Sequence, residues 1–177
     1  LEHKQSFKLS CPDKSVTSTD ASHLPRTLTA LTWNIECIKP HQYVLSETLL
    51  SYLPDLVFLS EPQVYQTDIS QCTTGVQHEY CYWLNSDDLT DPDLPLVKSR
   101  AVGGTLAMWR KWIDPYITVY PVQSSAFLPL ILRLPDARVS LHIAIYLPTH
   151  GKDPEFVSEL ANLKTVLMKL VVSMKIF

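Results

Sequence analysis

The feature that most narrows the choice of folds is a six-residue run fenced by prolines. Asp55-Leu56-Val57-Phe58-Leu59-Ser60 lies between Pro54 and Pro62. It is too short for an ordinary helix, and its apolar residues do not alternate with polar ones. A strand of this kind is covered on both faces, so it belongs in the middle of a layered α/β molecule. The flanking prolines set its limits, because a proline cannot donate to the ladder.

The surrounding segments extend this reading. Residues 28–34 alternate and are rich in strand formers. Pro40 is followed by Val44, Leu45, Leu49, Leu50 and Leu53 near one face of a helix of about three turns, which Pro54 ends. Residues 63–76 carry no clear period and admit a short helix. Residues 78–84 are aromatic-rich and read as a strand. Residues 85–98, with their aspartates and prolines, read as a surface loop. Residues 103–109 start a further strand and residues 116–122 another. Residues 127–134 and 139–146 pair as a hairpin around Pro135-Asp136-Ala137. A last helix has Asp153 as N-cap and Pro154 at its first position, with Phe156, Leu160, Leu163, Leu167 and Leu170 as its apolar face. The order predicts β-sheets at the centre with helices outside.

Composition bounds the function classes. A chain of 177 residues, 46% hydrophobic and 19% charged, suits one domain with a real core. The net charge of −3 gives no bulk attraction to nucleic acid, so any phosphate contact must come from a local cleft. Cys11, Cys37, Cys72 and Cys81 form no C-x-x-C pair and no zinc-finger spacing. They read as free reduced thiols, which favours an intracellular setting. No signal-peptide core opens the chain, and no run of about 18 apolar residues exists, so no membrane segment is expected. Residues 1–26 are polar and without period and read as a flexible leader. Residues 27–177 form the domain.

Two polar residues end the first two strands, Asn34 and Glu61. Both should project from one strand-end edge of a sheet, where ligands collect in open α/β folds. A carboxylate and a carboxamide supply oxygen ligands for a hard cation such as Mg²⁺. The same residue types also form turns and solvated strand ends.

The strings that carry chemistry resemble a known family. Leu31-Thr32-Trp33-Asn34-Ile35-Glu36 resembles the opening strand of the endonuclease/exonuclease/phosphatase superfamily, the DNase-I-like fold. Pro54-Asp55-Leu56-Val57-Phe58-Leu59-Ser60-Glu61 resembles its second strand and metal-binding glutamate. Val102-Gly103-Gly104-Thr105-Leu106-Ala107-Met108 resembles the glycine-marked strand that follows. Ile143-Ala144-Ile145-Tyr146-Leu147-Pro148-Thr149 resembles the strand that ends in an active-site tyrosine. The likeness covers roughly residues 28–165. The helix after the Tyr-Leu-Pro turn is similar in style to endonuclease domains of non-LTR retroelements.

The resemblance implies a four-layer α/β sandwich and a metal-dependent phosphodiester hydrolase. It implies that Glu61 binds the cation, Mg²⁺ or Mn²⁺, that Asn34 orients the metal and the scissile phosphate, and that Tyr146 contacts the phosphate or the leaving group. DNA is the implied substrate, although RNA, small phosphoesters and inositol lipids are hydrolysed on the same scaffold. The family's Gly-Asp-Phe-Asn and Ser-Asp-His motifs do not occur, and Thr149 stands where several nucleases have asparagine. The expectation is therefore a partial sandwich, its second half missing, inactive alone, with unpaired sheet edges that favour aggregation or assembly. The alternative is a non-catalytic remnant or a nucleic-acid- or protein-binding module. His150 and His142 read as a loop and a packed histidine. Trp109 and Trp112, with Arg110 and Lys111, read as a core tryptophan and solvated basic ends rather than as a base-stacking, phosphate-contacting platform. The acidic loop with Asp87, Asp88, Asp91 and Asp93 reads as a solvated face.

Overall fold

The structure is a computed structural model, and it describes residues 27–87, 102–122, 124–147 and 154–174. The expected leader, Asp88, Asp91 and Asp93, Thr149 and His150, and the Asp153 cap lie outside those residues. The described elements are strand β1 (Ala30–Asn34), helix α1 (Ile38–Tyr52), β2 (Leu56–Ser60), short helix α2 (Ile69–Cys72), β3 (Tyr80–Asp87), β4 (Val102–Arg110), β5 (Ile117–Val119), β6 (Phe127–Arg133), β7 (Val139–Ile145) and α3 (Pro154–Met174). Two 3₁₀ segments, Thr74–Val76 and Lys111–Tyr116, join them.

The strands form two sheets, ordered β1-β2-β4-β3 and β5-β6-β7. Among the described strands, β1 and β2 run parallel, because α1 carries the chain back between them, and the other pairs are antiparallel. The period of two along each strand sorts the side chains into layers. Val57, Leu59, Leu106, Met108, Tyr80 and Tyr82 pack against α1 and α2. Leu56, Ala107 and Trp109 meet Leu128, Leu130, Leu132 and Ala144 of the second sheet. Phe127 and Ile131, on the other face of β6, meet Leu163, Val166 and Leu170 of α3. The result is a helix–sheet–sheet–helix sandwich, the four layers expected, with the proline-fenced strand β2 inside it.

Several local expectations need correction. Helix α1 spans four turns rather than three and takes Pro40 into its first turn, where no N–H partner is lost. Leu45 and Leu49 are buried, but Val44, Leu50 and Leu53 are exposed, because a single sheet covers only a narrow stripe. Leu160 of α3 is likewise exposed at 47%, the contact line running through Leu163, Val166 and Leu170 instead. Strand β3 continues through Asn85 to Asp87, into the expected loop, because β4 pairs with it that far. Residues 116–122 contribute only three strand residues; a 3₁₀ turn takes their start.

Trp109 is a core residue, its indole N–H donating to Asp114 Oδ1 at 2.9 Å, and Trp112 packs at the edge of the inter-sheet core. His142 is packed between the sheets, stacked on Phe58 with ring centroids 6.3 Å apart. Cys37 and Cys72 are buried free cysteines, and Cys81 is buried. Among the described residues, no helix is long and apolar enough to cross a membrane.

Candidate active site

The parallel register sets Asn34 opposite Ser60, so β1 and β2 end at the same level and Glu61 follows immediately. The two turns beyond are laced together. Ile35 N–H donates to Ser60 O at 3.0 Å, Cys37 N–H to Glu61 O at 2.8 Å and Ile38 N–H to Pro62 O at 2.9 Å. A second lacing joins the turn to β4: Glu61 N–H donates to Gly104 O at 3.1 Å and Gln63 N–H to Gly103 O at 3.2 Å.

Strand alternation alone would send Glu61 to the helix side, away from Asn34. The backbone breaks the alternation. Glu61 adopts φ 53° and Gln63 φ 45°, both left-handed, and Glu36 and Cys37 across the gap are left-handed as well. Gly103 and Gly104, at φ 63° and 93°, supply the matching bend in β4 without the steric cost of a side chain.

The bend brings four side chains together. Asn34 Nδ2 donates to Glu61 Oε1 at 3.0 Å, and Gln63 Nε2 donates to Glu61 Oε2 at 3.2 Å. Tyr146, just past β7, faces the first sheet in phase with His142 and Ala144. A methyl group added at Gly103 would lie 3.7 Å from the Tyr146 ring. Burial first, then a hydrogen bond to Glu61 and its charge, push the Tyr146 hydroxyl above its usual range. Asn34, Glu61 and Tyr146, the three residues singled out from sequence, thus meet at one end of the sandwich. Gln63 was missed. Its only signal was its place two residues after Glu61, which in extended chain puts both side chains on one side.

Beside these residues a cleft of about 360 Å³ opens between β1 and β7, lined by Thr32, Asn34, Phe58, Ser60, Ala144 and Ile145 among others. It opens there because β1 and β7 are each the last strand of their sheet on that side.

Carboxylate and carboxamide oxygens are hard donors, the chemistry Mg²⁺ or Mn²⁺ takes. Gln63 Oε1 is buried without a partner, a further acceptor beside Glu61. The set fits a hydrated divalent cation held through one carboxylate, with water in its remaining positions. It is not a closed cage: among the described residues no three His, Cys, Asp or Glu side chains converge.

Several solved structures similar to the chain share one fold. They include an AP endonuclease from Leishmania major (TM-score 0.50, 16% identity, 75% of this chain and 44% of that one). Human Nocturnin, its catalytic domain with bound sulfate anion, matches at TM-score 0.56 and 12% identity, over 81% of this chain and 58% of that one. TDP2 from D. rerio, complexed with single-strand DNA product, matches at 0.50 and 17%, over 81% and 54%. All are members of the DNase-I-like endonuclease/exonuclease/phosphatase superfamily. The fold of this chain is therefore DNase-I-like, as expected, and the chain spans about half the length of these neighbours. No family profile and no curated protein matches the sequence.

Proposed function

We propose that this chain is the metal-binding half of an endonuclease-type phosphodiester hydrolase acting on DNA, without turnover of its own. The observation that carries the reading is the Asn34–Glu61 hydrogen bond at 3.0 Å, with Tyr146 facing the same carboxylate from the other sheet. A divalent cation bound at Glu61 would supply Lewis-acid stabilisation of charge on a phosphoryl oxygen. Asn34 holds the carboxylate in place and offers its amide to a phosphate oxygen. Tyr146, a phenol kept protonated, donates its O–H to Glu61 and would turn it towards the same phosphate once a cation occupies the carboxylate. Of the four groups at the site, only Glu61 could act as a base, and its oxygens are already engaged by Asn34 and Gln63. A general base, worth about 10²–10⁴ in rate, must come from elsewhere.

DNA as substrate is supported by two neighbours, an AP endonuclease and a TDP2 complexed with single-strand DNA product. Mg²⁺ or Mn²⁺ is the cation this donor set favours. A nucleic-acid- or protein-binding module is the second reading, and the cleft between β1 and β7 favours it.

Nicking of supercoiled plasmid with Mg²⁺ tests the proposal. The chain alone is expected to nick no faster than buffer. Mg²⁺-dependent nicking that disappears in Glu61→Ala would show the half-site to be sufficient, against the proposal. Nicking that survives Glu61→Ala would remove Glu61 from the chemistry altogether.

A further inference from the structure

We infer that Gln63 is a positioning residue for Glu61, fixing the orientation in which its carboxylate meets a cation. This deepens the reading above and rests on Glu61 being the cation ligand.

A carboxylate on a two-carbon stem has several rotamers, and one hydrogen bond leaves it free to swing about that contact. Here two amides hold it from two sides. Asn34 Nδ2 takes Oε1 at 3.0 Å and Gln63 Nε2 takes Oε2 at 3.2 Å, the second contact being part-buried. Both oxygens keep further lone pairs, since an ionised carboxylate has about four acceptor sites. The opposite orientation of the Gln63 amide would set its oxygen against the carboxylate, so the donor end is the one that must face Glu61.

The backbone is shaped to make this contact. Left-handed conformations in L-residues cost roughly 1–2 kcal/mol each. Glu61 and Gln63 both adopt them within three residues, each anchored by its N–H to a glycine carbonyl of β4. Such strain persists where the surroundings over-determine it. Its outcome here is that the two side chains on either side of Pro62 touch. The carbonyl end of Gln63, buried and without a partner, is an acceptor for a water molecule that a hydrated cation would carry.

The test separates positioning from folding. Asparagine and glycine both accept the left-handed backbone of residue 63. Neither can reach Glu61: asparagine is one methylene too short, and glycine has no amide. Free Mn²⁺ is counted by electron paramagnetic resonance during titration of wild type, Gln63→Asn, Gln63→Gly and Glu61→Ala, and Tm is measured for each. Loss of a partner that orients a metal ligand typically weakens affinity about 10–100-fold. The expected result is a loss of at least about 10-fold in both Gln63 variants, with Tm within 2–3 °C of wild type. Unchanged affinity in both, while Glu61→Ala loses it, overturns the role of Gln63 and leaves Glu61 as ligand. A loss that tracks a large fall in Tm assigns Gln63 to folding and overturns the inference as well. Wild type binding Mn²⁺ no better than Glu61→Ala overturns the ligand assignment itself, and the role of Gln63 with it.

Discussion

Glu61 sits where a regular strand would have turned it towards α1, and it faces Asn34 because residue 61 is left-handed. The glycines opposite make that turn affordable. At Gly103 an added Cβ would find ordinary contact with the Tyr146 ring, so the cost of substitution is in the backbone, at φ 63°. Gly103→Ala is expected to destabilise by about 1–2 kcal/mol, read as a lower urea midpoint. His142 gives a second prediction at this scale. Its ring stacks on Phe58 between the sheets, Ser140 Oγ lies 2.9 Å from Nε2, and burial holds its pKa below 6.5. The unfolded chain then binds the proton more readily than the folded one. Stability is full above about pH 6.5 and falls as pH drops through the folded pKa. Wild type should lose more stability between pH 7.5 and pH 5 than His142→Gln, by chemical denaturation at each pH. An equal loss in both would show that His142 does not titrate in that window.

Among the elements, helix α1 ends at a residue poorly suited to its conformation. Leu53 is left-handed at φ 47°, its N–H donates to Leu49 O at 3.0 Å, and its side chain is 41% exposed. Glycine is the usual residue at such a position. Leu53→Gly should stabilise by about 0.5–1 kcal/mol, seen as a raised Tm. The elements also show what the sequence could and could not disclose. Strand β2 was legible because prolines mark both ends and its apolar run needs two covered faces. Strand β4 was legible from Gly103-Gly104 followed by a strand-forming run. The end of β3 was not. Asn85 reads as a loop residue, yet its carboxamide donates to Phe127 O at 3.1 Å and also to Ser124 O, tying the two sheets together. Those partners lie 39 and 42 residues away, and no local pattern announces them. Leu160 was misread for a related reason: helical spacing shows a stripe but not which edge of the stripe a sheet will cover. Gln63 was missed because its role depends on two left-handed residues that composition does not signal.

For the molecule as a whole, the unusual feature is the open flank. Among the described residues, strand β1 and strand β7 end their sheets on the same side, with a cleft of mixed polarity between them. Edge strands are commonly blunted by Lys, Pro or bulges. Neither Ala30–Asn34 nor Val139–Ile145 contains a Lys or Pro, and Ile145 is 47% exposed. Association that rises with protein concentration is expected by light scattering, and Thr32→Lys, at an exposed position in the middle of β1, should reduce it. If Thr32→Lys associates as readily as wild type, the β1 edge is not the contact.

The most direct test of the whole account is a Mn²⁺ titration followed by NMR, since paramagnetic broadening marks the residues nearest the ion. The side-chain amides of Asn34 and Gln63 and the ring of Tyr146 should broaden first in wild type and stay sharp in Glu61→Ala. Broadening centred on other residues, or the same broadening in Glu61→Ala, would contradict it.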